Sequence, residues 1–201
     1  MIPRFDEPVC HSVRYRERQG TYAIIPHGGL VLLTHQLEPK PEYQLPGGGV
    51  DSGEFPLAAL IRETLEETGW KIQVVSRFGA YRRFAFLPDY GIWARKTCRI
   101  YLARPNMHAG PPLEESHSAV WATPTRAIEI LSNEGDRAMM QRFIHGLERG
   151  SFVPGFHLPV RKGKSHLANP LRKLHCGAVA ANRDFCRAGM KSRSTEIVFK
   201  F

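Results

Sequence analysis

The sequence lacks any apolar run long enough to cross a bilayer, which takes about 20 residues. Its opening stretch, "MIPRFDEPVCHSVRYRERQG", also lacks the apolar core of a secretory signal. A cytoplasmic setting is expected. Cysteine is scarce. Cys10, Cys98, Cys176 and Cys186 are the only four, and none forms a CxxC pair. This argues against a disulfide scaffold and for reduced thiols. The gap between Cys176 and Cys186, with His175 beside them, matches no usual zinc-ligand spacing. Acidic residues run short in one place. Residues 1–149 hold 18 Lys and Arg against 17 Asp and Glu, whereas residues 150–201 hold 10 against 2. The net charge of +9 therefore belongs almost wholly to the last quarter of the chain.

That last quarter also lacks sustained periodicity. Residues 150–201 are expected to form a disordered or loosely attached basic extension, because so short and charged a stretch has little core to bury. A shifted reading frame would leave the same abrupt change of composition. The extension's charge admits salt-sensitive, non-specific binding of nucleic acid. However, it contains no nucleic-acid motif, and its aromatic residues do not interleave with the basic ones. Residues 1–149 are expected to hold one domain, its core beginning near residue 15.

Within that domain, "TYAII" (21–25) and "GLVLLT" (29–34) read as strands joined by a turn at residues 26–29. "YQLPGGG" reads as a short strand entering a tight loop. Residues 57–69 read as a helix. Leu57, Leu60, Ile61, Leu65 and Thr68 form its apolar stripe, Asp51 or Ser52 caps it, and Gly69 stops it. Residues 71–86, 92–105 and 119–122 read as strands. A helix is expected to start at Thr123–Pro124. Another spans residues 136–150, with Met139, Met140, Phe143, Ile144 and Leu147 facing a core.

The first of these helices carries the chemistry. Glu63, Glu66 and Glu67 lie three and four residues apart and project to one side, where like charges repel. A solvated acidic face, partly neutralised by Arg62, is the plain reading. A divalent cation accounts for the crowding better, since Mg2+ favours a few carboxylates plus waters and phosphate oxygens. Gly47, Gly48 and Gly49 precede the helix and allow close approach of backbone to a ligand. Their N–H groups are also available to phosphate.

These residues resemble the box of the Nudix hydrolases, G-x5-E-x7-R-E-U-x-E-E-x-G-U, where U is a bulky aliphatic residue. Gly48, Glu54, Arg62, Glu63, Glu66, Glu67 and Gly69 match all seven fixed positions, while Thr64 and Trp70 depart at the U positions. The resemblance spans about residues 15–149. It implies an α/β fold, an α/β/α sandwich with a mixed sheet and a loop–helix–loop metal site. It also implies hydrolysis of a nucleoside diphosphate linked to another moiety, using Mg2+ or Mn2+. By position, Glu66 and Glu67 would be the principal metal ligands. Glu63 would be a further ligand or the general base, and Arg62 would hold the glutamates with Glu54 as its partner. The Gly48 carbonyl would add a ligand. A non-catalytic nucleotide sensor is the alternative, which a degenerate box would mark and this box does not.

Substrate contacts are less legible. Residues 80–96 are rich in aromatic and basic side chains. Tyr81, Phe84, Phe86, Tyr90 and Trp93 are candidates to stack on a base, set against burial in bent strands. Arg82, Arg83, Arg95 and Lys96 are candidates to hold phosphate. In "LEESH" (113–117), where family members place a further acid, Glu114 and Glu115 are candidates set against solvated loop charge. His27, His35, His108 and His117 receive no role.

Overall fold

Alternation of apolar residues builds the sheet, because successive strand side chains face opposite sides. The computed structural model describes residues 1–6, 8–87 and 91–150. In strand β2 (Arg16–His27), Tyr22 and Ile24 enter one core, and Ala23 and Ile25 enter another. Strand β3 (Leu30–Gln36) does the same with Val31 and Leu33 against Leu32. Burial on both faces explains why these strands read as near-continuous apolar runs.

The other strands are β1 (Arg4–Asp6), β4 (Glu42–Gln44), β5 (Gly47–Gly49), β6 (Trp70–Leu87), β7 (Ile92–His108) and β8 (His117–Ala122). The sheet runs β1-β6-β7-β2-β3-β4, with β5 added on β2 and β8 on β3. Pairings are mixed. β2 is parallel to β7, β1 is parallel to β6, and the other pairs are antiparallel.

Helices cover both faces. On one face, α1 (Pro56–Thr68) brings Leu60 against Ala23, Ile25, Leu32, Ile72 and Ala103. On the other, α2 (Pro124–Ile130) and α3 (Glu134–Glu148) bring Ala127, Met139, Met140 and Phe143 against Tyr22, Tyr81, Cys98 and Ile100. This is the expected α/β/α arrangement. Among the described residues, no helix is long and apolar enough to cross a membrane.

Several local expectations need correction. The β2–β3 turn is tighter than residues 26–29. His27 pairs with Leu30, and Gly28 and Gly29 take φ of 56° and 82°, as a two-residue hairpin requires. Asp51 and Ser52 do not cap α1. Phe55 is its N-cap residue without a side-chain bond, and Pro56 supplies the preset φ of a first turn. Gly69 does end the helix, at φ 71°, with its N–H on the Leu65 carbonyl. The buried face of α1 is rotated about the helix from the expected stripe. Leu57 and Ile61 are exposed, and the inward face is Ala59, Leu60, Thr64, Glu67 and Thr68. The glycine run is not a loop but strand β5, with Gly47, Gly48 and Gly49 opposite Tyr22, Thr21 and Gly20.

By internal contacts the described residues fall into two units, 1–9 with 14–150, and 10–13. The elements above belong to the first. In the second, Cys10–Val13 forms a turn through the Val13 N–H and the Cys10 carbonyl. Cys98 is a buried free thiol, as expected. The expected basic extension lies outside the described residues.

Candidate active site

The site assembles where β5, the helix α1 and the loop before β8 meet. Arg62 organises it. Its Nε and Nη2 each stand 3.0 Å from one oxygen of Glu54, a two-point grip that matches the planar guanidinium. Its Nη1 lies 2.9 Å from Glu66 and 3.0 Å from Glu63. The Glu54 bond holds its carboxyl below the usual range, and the same pairing drives Arg62 upward. One cation thus stands within 3.0 Å of three carboxylates, with Asp51 a fourth at 3.7 Å.

Glu63 points at β5, against Gly48. Burial raises its pKa while Arg62 opposes the rise. Glu66 lies beside it in the last turn of α1. The last carbonyls of a helix have no partner within it, and the Glu66 carbonyl takes two from outside. The N–H groups of Leu113 and Glu114 bond to it at 2.8 and 3.2 Å. This docks the loop onto the helix and sets Glu114 beside the box. Oxygens of Glu63, Glu66 and Glu114 lie within 4.8 Å of one another.

Glu67 is placed differently from its neighbours. It turns inward, and its Oε2 accepts the Gly47 N–H at 2.9 Å. Burial raises its pKa well above normal, with the Gly47 bond opposing. So Gly47 N–H, expected to be available to phosphate, is committed to a carboxylate. Beyond Glu67 stands His117, a residue that sequence reasoning left without a role. Its Nδ1 is 2.7 Å from Glu114 and its Nε2 is 3.9 Å from Glu67. The signal available for it was only the three-residue spacing from Glu114.

The remaining candidates scatter. Glu115 is exposed and stands outside the carboxylate group. Arg82 and Arg83 sit on β6 opposite Thr97 and Lys96, with β7 and β2 between them and β5. Lys96 is the exception, lying over the Tyr22 ring, 5.1 Å from its centre, with its charge reaching Glu67, whereas Arg95 pairs with Glu17. Tyr81 is core, with its hydroxyl donating to Asp136 at 2.8 Å, and Phe84 is buried as well. Phe86 is exposed, and Tyr90 lies outside the described residues.

Comparison with known proteins identifies the family and the fold. The family model described as "NUDIX domain" matches residues 15–143. A Bacillus subtilis (strain 168) protein, provisionally named an 8-oxo-dGTP diphosphatase, is 37% identical over 68 residues, covering 34% of this chain and 46% of that protein. An RNA pyrophosphohydrolase of Helicobacter pylori (strain P12) is 34% identical over 62 residues, covering 30% of this chain and 40% of that one. The chain thus matches less than half the length of these curated relatives. In fold it is similar to a NUDIX hydrolase structure from Nitrosomonas europaea, with a TM-score of 0.55, 17% identity, and coverage of 65% of this chain and 90% of that one.

Proposed function

The chain belongs to the NUDIX family, and from that premise we propose that it hydrolyses a pyrophosphate bond in a nucleotide derivative. The observation that carries the reading is the convergence of Glu63, Glu66 and Glu114 to within 4.8 Å, from two separate segments. The donor set fits Mg2+ or Mn2+. Every donor is a hard carboxylate oxygen, and the oxygens are close enough to share one ion. Gly48 adds a place where backbone carbonyl can approach. In this reading Glu63, Glu66 and Glu114 hold the cation, with Glu67 and the Gly48 carbonyl as further donors. The cation would supply positive charge to phosphate oxygens and Lewis acidity toward water.

The chain's own residues do the rest. Glu63 is proposed as a cation ligand or as the general base, since it stands against Gly48 at the cation site and Arg62 keeps it anchored. Arg62 and Glu54 fix the carboxylates, so little reorganisation is needed when substrate arrives. We assign this chemistry to residues 1–149 and none of it to residues 150–201.

The test is substitution within the box. Glu66→Gln and Glu67→Gln should each remove most hydrolysis at saturating Mg2+, with an unchanged circular dichroism spectrum. Wild-type turnover in both variants would sink the proposal.

A further inference from the structure

Resting on that reading of the glutamates, we propose that His117 is a positioning residue that holds Glu114 in the cation site. His117 opens β8, where it pairs with Gln36. Its side chain is only 9% exposed, yet both ring nitrogens face carboxylates of the site rather than backbone. Nδ1 is 2.7 Å from Glu114 Oε2, and Nε2 is 3.9 Å from Glu67 Oε1. Ser116 Oγ also lies 3.2 Å from Nδ1. An ionised carboxylate only accepts, so the short contact assigns the Nδ1 proton to the Glu114 bond.

Glu114 needs such a hold. Its side chain is 43% exposed and comes from a loop, whereas Glu63 and Glu66 are fixed by Arg62. The loop backbone is anchored at both ends. Leu113 and Glu114 N–H groups bond to Glu66, the Leu37 N–H takes the Ser116 carbonyl, and the His117 N–H takes the Glu114 carbonyl. The backbone bonds bring Glu114 near the helix but leave its carboxylate free to rotate away. The imidazole removes that freedom. Because the ring is wedged against buried Glu67, which Gly47 holds from the other side, its own orientation is fixed too. Groups that orient cation ligands in this way commonly contribute about 10–100-fold to cation affinity.

Asparagine and glutamine separate the two ring nitrogens. An Asn amide stands near the place of Nδ1, and a Gln amide near that of Nε2. The experiment measures Mn2+ affinity of the full chain by electron paramagnetic resonance of free Mn2+, without nucleotide. It compares wild type with His117→Ala, His117→Asn, His117→Gln, Glu114→Gln and the double variant Glu63→Gln/Glu66→Gln. Affinity should fall about 10–100-fold in His117→Ala and His117→Gln, matching Glu114→Gln, and recover to within about threefold in His117→Asn. Unchanged affinity in His117→Ala, or His117→Asn no better than His117→Gln, would overturn the proposal. If His117→Ala does not fold, the Asn and Gln pair decides alone. Wild-type affinity equal to that of the double variant would instead overturn the cation site itself, and the role of His117 with it.

Discussion

Gly48 and Glu63 occupy one small space. A Cβ on residue 48 would come within 2.5 Å of the Glu63 carboxyl carbon and 2.9 Å of its Oε1. The obstacle is the tip of a flexible side chain, so Gly48→Ala should displace Glu63 and leave the strand intact. The expected result is at least a tenfold loss of hydrolysis, with a stability cost under about 1 kcal/mol. Gly47 one residue earlier makes the contrast. A Cβ there would meet backbone, at 2.8 Å from Tyr22 Cα, and φ is 127°. Gly47→Ala should destabilise the fold by about 3 kcal/mol or more. Denaturant melts of the two variants check both halves, and equal losses of stability would contradict them.

Arg62 offers a second test. Its guanidinium reaches Glu54 with two nitrogens and Glu63 and Glu66 with a third. An ammonium retains the charge without the fork. Arg62→Lys should therefore lower kcat about 10–100-fold, with an unchanged melting temperature. Full activity in this variant would show that charge alone suffices.

A pH dependence follows from Asp136. It is buried, and burial raises its pKa, opposed by bonds from the Leu45 N–H, the Tyr81 hydroxyl and the Asn133 amide. The folded chain then keeps this proton over a window, above the ordinary value of 3.8, where the unfolded chain has lost it. Stability from this group is full below that ordinary value and declines as pH rises through the raised one. Asp136→Asn removes the titration. The melting temperature of wild type minus that of Asp136→Asn should fall as pH rises from about 4 toward neutrality. A difference that climbs with pH would contradict the assignment.

The box itself was legible because its residues recur at fixed spacing along one helix and its approach. Arg62 to Glu66 is a single turn, and Gly48 to Glu63 is fixed by how β5 lies against α1. Strands β2 and β3 were equally legible from their apolar runs, but burial on both faces was not read from them. What escaped depends on contacts between distant segments. Glu67 reads as one of three outward acids, and only the position of Gly47 shows that it turns inward. His117 reads as a loop histidine until β8 pairs with β3 and the loop docks on the Glu66 carbonyl. Strand β1, three residues long, carries too little pattern to be read without β6 beside it. The Leu57 and Ile61 positions were misread because the buried face is turned toward Ala59, Thr64 and Glu67, where small and polar residues carry no apolar signal.

The central claim is metal-dependent hydrolysis of a nucleotide anhydride at the glutamate site. The most direct measurement is phosphate release from a panel of ADP-ribose, NADH, dinucleoside polyphosphates, and normal and oxidised nucleoside triphosphates. Each is assayed with Mg2+, with Mn2+ and with chelator, with a phosphatase added to reveal hidden products. The account predicts cleavage of one compound class far above the rest, abolished by chelator and by Glu66→Gln. Tight binding of one compound with no cleavage of any, under either metal, would contradict it and leave a nucleotide sensor.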